Sequence, residues 1–272
     1  MSPTIASAPP GEPLDPVDAR ALLRHALNVD DVYLVTHRDD PLNAEQIAAY
    51  AALIARRKAG EPVAYIVGKR EFFSLEFAVT PAVLIPRPET ELLVETALEH
   101  IADGADARVL DLGTGSGCIA VSIASHRARA QVVAVDKSKE ALDVARANAS
   151  HHGTSNVEFR QSDWFSAVAD DLFDIIVSNP PYIAAGDPHL GSGDLRAEPT
   201  SALVGGSDGL DCIRAIVTTA PRHLKSGGLL AFEHGYNQAT AARELLECAG
   251  FKKVFTYNDM AGIGRVSRGH RP

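Results

Sequence analysis

The chain has 272 residues, 46% of them apolar, and a net charge of −9. That length suits one large domain, or a large domain with a small one. The acidic balance disfavours tight binding to a bare phosphate backbone, which needs clustered Lys and Arg. Cys118, Cys212 and Cys248 are far apart, lack metal-ligand spacing and read as small apolar core residues. No apolar run is long enough to span a bilayer.

Residues 1–13 lack the basic start and apolar centre of a secretory leader. They read as a disordered tail, and a cytoplasmic location is expected. Asp15-Pro16 is a helix start, with Asp as N-cap and Pro in the first turn. Ala19, Leu22, Leu23, Ala26 and Leu27 then share one helical face. Asn43 and Gln46 have capping-box spacing, Ile47, Tyr50, Ala51 and Ile54 follow at helical spacing, and Gly60 suits a helix end. Residues 14–68 are therefore expected to form a small helical bundle. Residues 69–87, with Phe72, Phe73, Leu75, Phe77 and Val79, read as a β-hairpin linker. A catalytic domain over 88–272 would follow, opening with a helix that runs to about Asp103.

From there strands alternate with helices. Strands are expected at 108–113, 131–136, 157–162, 173–178, 228–234, 252–258 and 264–269, with helices near 117–127, 138–151, 209–224 and 238–249. This alternation predicts an α/β fold with a mostly parallel sheet covered on both faces. The last two strands are too close for a parallel crossover and should pair antiparallel. Seven strands ending in an antiparallel pair is the arrangement of a class I S-adenosylmethionine-dependent methyltransferase.

The first chemical signal is Asp111-Leu112-Gly113-Thr114-Gly115-Ser116-Gly117, a glycine turn between a strand and a helix. Glycine allows a tight turn and close backbone approach to a ligand. The spacing is G-x-G-x-G, whereas a dinucleotide binder has G-x-G-x-x-G. This disfavours an NAD-linked oxidoreductase and suits a cofactor without pyrophosphate. Asp136 closes the next strand, where an acid can accept from both ribose hydroxyls; the competing role is an N-cap. Asp163-Trp164-Phe165 follows the third strand. Trp164 can flank an adenine ring with Asp163 near its amino group, or can be ordinary core packing.

The second signal is Asn179-Pro180-Pro181-Tyr182, at the end of the apolar strand 173–178. An amide or aromatic-amine nitrogen is a poor nucleophile because its lone pair is delocalised. The Asn179 side-chain oxygen and the Pro180 carbonyl can hold its two N–H groups and stabilise developing positive charge. The prolines stiffen the loop, and Tyr182 offers a flat face to a planar group. The catalytic set expected here is Asn179, Pro180 and Tyr182. A strong base is not required, because a methylated amide nitrogen is very acidic. The long segment 183–208 reads as a substrate lid or a floppy surface loop. His234 shapes the pocket or packs structurally.

With these motifs stand Gly60-Glu61-Pro62, Arg70-Glu71-Phe72-Phe73, Ile85-Pro86-Arg87-Pro88-Glu89-Thr90-Glu91, Asp187-Pro188-His189, Asp194-Leu195-Arg196-Ala197-Glu198-Pro199, Glu233-His234-Gly235 and Arg265-Val266. Together, from about Leu14 to Arg268, the chain resembles the HemK-type family of peptide chain release factor glutamine methyltransferases. Asn-Pro-Pro-Tyr also occurs in DNA and RNA amino-methyltransferases; the Pro-Arg-Pro-Glu-Thr-Glu and Asp-x-Arg-x-x-Glu-Pro stretches narrow the match.

The resemblance implies a five-helix N-terminal domain for substrate recognition, a hairpin linker and a class I catalytic domain. It implies methylation of the glutamine side-chain nitrogen in the Gly-Gly-Gln tip of class 1 release factors, modulating translation termination. The cofactor would be S-adenosyl-L-methionine, with S-adenosyl-L-homocysteine as product and no metal. Cofactor residues are then Gly113, Thr114, Gly115, Ser116, Gly117, Asp136, Asp163, Trp164 and Asn179. Substrate residues are Asn179, Pro180, Pro181 and Tyr182, with Arg87, Glu89 and Thr90 lining the mouth of the site. A monomer is expected, without direct nucleic-acid or membrane binding. An acidic enzyme suits a partner whose surface near that tip is basic.

Overall fold

The computed structural model describes residues 3–8 and 14–272. The chain divides into two compact units, Met1–Lys69 and Arg70–Pro272.

The first unit contains α1 (Pro16–Leu27), α2 (Asp31–Thr36), α3 (Ala44–Lys58) and α4 (Val63–Val67). Asp15 caps α1 by accepting from the Val17 amide, and Asn43 and Gln46 form a reciprocal capping box on α3. Leu22, Leu23, Leu34, Tyr50, Ile54 and Ile66 make its core. Two expectations change here. Residues 3–8 are ordered: Ile5–Ser7 form a 3-10 turn, Thr4 bridges Pro41, and Ile5 is buried among the helices. Burying Ile5 is the physical reason this stretch is held; the remainder of 1–13 lies outside the described residues. The described helices also number four with one 3-10 turn, against the five implied by resemblance.

β1 (Lys69–Phe72) and β2 (Leu75–Ala78) form the expected hairpin, with only four residues in each strand. Its turn places Phe73 and Ser74 at φ +52° and +60° without a glycine. The Glu91 carboxylate accepts from the Phe73 amide at 2.9 Å and helps to hold that turn.

The rest is a seven-stranded sheet. In chain order follow α5 (Glu91–His100), β3 (Arg108–Leu112), α6 (Cys118–His126), β4 (Gln131–Asp136), α7 (Lys139–His151), β5 (Val157–Gln161), β6 (Phe173–Ser178), α8 (Asp211–Thr219), β7 (Leu224–Glu233), α9 (Ala239–Cys248), β8 (Lys252–Asn258) and β9 (Gly264–His270). The strand order is β5-β4-β3-β6-β7-β9-β8, and β9 runs antiparallel to both neighbours. Alternate strand residues go to opposite faces. Val109, Val132, Ile175 and Leu229 join one core with α5 and α6, while Leu110, Val133, Ile176 and Leu230 join another with α8 and α9. Burial on both faces explains the near-continuous apolar runs. No helix among the described residues is long and apolar enough to cross a membrane.

β3 has β4 on one side and β6 on the other, both parallel. The chain therefore reverses its winding direction between β3 and β6. Such a switch point opens a crevice beyond the carboxyl ends of the strands, which is where ligands bind in open α/β sheets.

Candidate active site

A cavity of about 450 Å³ occupies that crevice, a volume suited to a small-molecule or cofactor site. Its wall contains Gly113, Thr114, Gly115 and Ser116 after β3, Asp136 at the end of β4, Asp163 and Trp164 after β5, and Asn179 and Pro181 after β6. Arg87 and Thr90 line it from the segment before α5, and Pro199, Ser201, Ala202 and Val204 from the loop beyond Tyr182. Gly117, Glu89, Pro180 and Tyr182 are not in the wall.

The glycine turn is held from below. The Gly113 and Thr114 amides both donate to the Val135 carbonyl at 2.9 Å. Gly113 and Gly115 adopt φ +73° and +54°, conformations that side chains disfavour. Gly117 has a different job. A Cβ there would lie 3.0 Å from the Ala145 Cβ on α7. The third glycine of the turn thus lets α6 approach α7 closely.

Asn148, fully buried on α7, ties the turn to the hairpin. Its Nδ2 donates to the carbonyls of Ser116 (2.8 Å) and Ala78 (3.0 Å), and its Oδ1 accepts from the Ala78 amide (2.8 Å).

Asp136 accepts the Gly115 amide on one oxygen (2.9 Å) and the Ser138 amide on the other (2.8 Å). The helix cap is Ser138, which accepts from the Ala141 amide. Each Asp136 oxygen keeps a further lone pair for a diol. Trp164 sits at φ +49°, held by the Ser162 hydroxyl donating to its carbonyl at 2.7 Å. It both lines the cavity and packs against the core. Strained backbone of this kind concentrates at binding sites.

Asp111 is wholly buried beneath the turn. It accepts from the Thr114 hydroxyl at 2.6 Å, while its other oxygen has no partner. Burial, with the Asp136 charge adding to it, pushes its carboxyl up to about 7 against the Thr114 hydrogen bond. Burial likewise pushes the Cys118 thiol up to about 12, so this wall residue is an inert neutral thiol.

On the other side a chain of hydrogen bonds runs inward from Asn179. Its Nδ2 donates to the Thr90 hydroxyl (3.0 Å), which donates to Oε2 of Glu233 (2.6 Å); Oε1 of Glu233 accepts from the Tyr182 hydroxyl (3.0 Å). Burial pushes the Glu233 carboxyl up to about 7 and raises the Tyr182 phenol. Tyr182 is therefore anchored behind the wall, its ring packed on the core rather than lining the cavity. The Oδ1 of Asn179 is buried without a hydrogen-bond partner, an arrangement that costs about 1–3 kcal/mol until a donor arrives.

The segment 183–208 is folded. Ile183 bridges Val204, and 3-10 turns span Pro188–Gly191, Gly193–Ala197 and Thr200–Ala202. Glu198, buried in this loop, pairs with Arg87 and accepts from the Ile85 amide at 3.0 Å. Burial raises its carboxyl despite the guanidinium. The pair ties the loop to the segment before α5, which explains why it is ordered.

His234 is buried outside the wall. Its Nδ1 faces the Gly235 carbonyl (3.0 Å) and its Nε2 the Ser267 hydroxyl (2.9 Å). A carbonyl only accepts, so the proton is on Nδ1. Burial lowers its pKa, and both ring nitrogens have partners within the fold.

Asp111, Glu233 and Asn148 were not expected as site residues. One signal was present for the acids: each is a carboxylate in or at the end of an otherwise apolar strand, which is rare without a partner.

Comparison with known proteins gives a consistent result. The methyltransferase small domain profile matches residues 88–191, and the PrmC N-terminal domain profile matches residues 9–68. The release factor glutamine methyltransferase of Burkholderia pseudomallei is 54% identical over 266 residues, covering 96% of this chain and 93% of that protein. Its counterpart in Xylella fastidiosa strain Temecula1 is 50% identical over 271 residues, covering 100% of this chain and 98% of that protein. The crystal structure of a methyltransferase from Pyrococcus furiosus has a TM-score of 0.56 at 22% identity, covering 80% of this chain and 96% of that one, a likeness of fold alone. With about half of all residues identical over nearly its whole length, the chain belongs to the release factor glutamine methyltransferase family.

Proposed function

We propose that this protein methylates the side-chain amide nitrogen of a glutamine, the one in the Gly-Gly-Gln tip of class 1 release factors, using S-adenosyl-L-methionine. The observation that carries this reading is the unpartnered Oδ1 of Asn179, a buried acceptor in a cavity-wall residue that follows the same sheet edge as the glycine turn. The names of the full-length relatives support the substrate.

The wall fits the cofactor. The free lone pairs of Asp136 suit the ribose hydroxyls, Trp164 and Asp163 suit an adenine, and the Gly113–Ser116 turn suits close approach of the remainder. When bound, it supplies a methyl group on a sulfonium and leaves as S-adenosyl-L-homocysteine.

The protein's own contribution is positioning. Asn179 accepts an N–H of the incoming amide and orients the nitrogen, and its carbonyl dipole stabilises positive charge as that charge develops. The Arg87–Glu198 pair holds the loop segment Pro199–Val204 against the cavity, limiting water. The net charge of −9 suits a basic partner surface.

The test is methyl transfer from labelled cofactor to a class 1 release factor, with a Gln→Ala variant of its Gly-Gly-Gln tip as control. Label on the wild-type factor alone supports the reading. Absence of label despite cofactor binding refutes the substrate, and a nucleic-acid amino group would be tested next.

A further inference from the structure

Glu233 ends β7, 1% exposed, and stands one residue behind the cavity wall, against Thr90. Such a carboxylate is costly unless its hydrogen bonds accomplish something. Both of its oxygens are used, one by Thr90 and one by Tyr182. A hydroxyl has one proton. With that proton given to Glu233 over 2.6 Å, the Thr90 oxygen can only accept from its other neighbour, Asn179, at 3.0 Å. The only donor on the Asn179 side chain is Nδ2. The amide is thereby locked with Nδ2 inward, and Oδ1 is the end left without a partner.

We propose that Glu233 is a positioning residue which, through the Thr90 hydroxyl, dictates that Asn179 offers its oxygen and not its NH2 group to the acceptor. This inference rests on the amide-nitrogen reading above, because an NH2 group aimed at a substrate NH2 would repel it. Without the Thr90 hydroxyl, or with a proton on Glu233, the direction is no longer set. A protonated Glu233 can donate to Thr90, which is then free to donate to Oδ1 of a reversed amide.

The groups facing Glu233 are Thr90, Tyr182, Glu89 and Arg265, with the Cys118 thiol and the neutral His234 nearby and Arg87 beyond Tyr182. Burial dominates, so the carboxyl titrates near neutrality. The relay is in its ordering state above that pH and is lost below it.

The experiment compares Thr90→Val, Thr90→Ser and Glu233→Gln in the full chain. Val keeps the shape of Thr and removes the hydroxyl. Thr90→Val should lower kcat roughly 10- to 100-fold, as expected when an oriented contact to the reacting group is lost. The dissociation constant for S-adenosylmethionine should stay within about twofold. Thr90→Ser should recover most of the loss. Wild-type kcat should rise with pH through neutrality, and Glu233→Gln should abolish that limb.

A second readout is independent of turnover. The Asn179 side-chain 15N–1H2 resonance should titrate with Glu233 in the wild type and be pH-independent in Glu233→Gln. Equal losses in Thr90→Val and Thr90→Ser would reduce Thr90 to packing and overturn the proposal, as would a wild-type kcat in Thr90→Val. An Asn179 resonance that ignores pH in the wild type would overturn it too. A wild-type enzyme that methylates no release factor sinks the substrate reading instead, and the resonance still tests the relay.

Discussion

Replacing Gly117 with alanine separates packing from ligand binding in the glycine turn. Gly117 stands at φ +81°. A side chain in that left-handed region costs about 1–2 kcal/mol. The new Cβ would also meet the Ala145 Cβ at 3.0 Å and its Cα at 3.2 Å. Neither is the end of a flexible side chain, and Ala145 is fully buried. Relief requires α6 and α7 to move apart, and overpacking of this kind typically costs about 1–3 kcal/mol. The sum is roughly 2–5 kcal/mol, which corresponds to a fall in Tm of about 4–20 °C for a domain of this size. Thermal unfolding without cofactor, at fixed protein concentration, measures it. Gly115→Ala is the control, because at φ +54° its Cβ would meet nothing within 4 Å. It should lose about 1–2 kcal/mol from backbone strain, but weaken cofactor binding more than Gly117→Ala does. A Gly117→Ala protein with wild-type Tm and much reduced cofactor affinity would refute the packing argument and restore Gly117 to the binding site.

Asn179→Ala should leave the cofactor dissociation constant nearly intact while turnover falls by about 100-fold or more; methylation at the normal rate would remove Asn179 from the reaction. Asp136→Ala should instead weaken cofactor binding by roughly tenfold or more, and calorimetry showing an unchanged constant would end its ribose role. Asn148→Ala deletes three hydrogen bonds, one buried and two part-buried, and leaves the Ala78 amide and two carbonyls without that partner. Its cost should be about 2–4 kcal/mol, read as a lower Tm, and a shift under about 1 °C would be inconsistent with that linkage. Asp111→Asn addresses pH. The folded-state pKa is raised to about 7. Between the unfolded value and that pKa the unfolded chain binds fewer protons, so the Asp111 contribution to stability is complete at acid pH and is lost as pH rises through about 7. The span is on the order of 4 kcal/mol. The Asn variant should show a flatter stability profile from pH 5 to 8, and an unaltered slope would rule out this titration.

Much of the architecture could be read along the chain because its causes are local. Strands buried on both faces demand near-continuous apolar runs, and Val109–Leu112, interrupted by Asp111, with Val132–Val135 and Ile175–Val177 supply them. Helix starts at Asp15 and Asn43 are written within a few residues, as is the short connection that makes β8 and β9 antiparallel. The residues Gly113–Ser116, Asp136, Asp163, Trp164 and Asn179 follow four strand ends, and a parallel sheet brings such ends to one edge. Only the tertiary structure decided which residues stand in the wall and which stand behind it. The Thr90–Glu233 bond spans 143 positions and the Arg87–Glu198 pair 111. Such pairings leave no periodicity, because a single hydrogen bond between distant segments constrains one residue in each. The packing role of Gly117 and the anchoring of Tyr182 depend likewise on what lies across the gap, Ala145 in one case and Glu233 in the other. Sequence determined the chemistry available at the sheet edge. Packing determined its direction, because the orientation of an amide is set by the neighbours that take its protons.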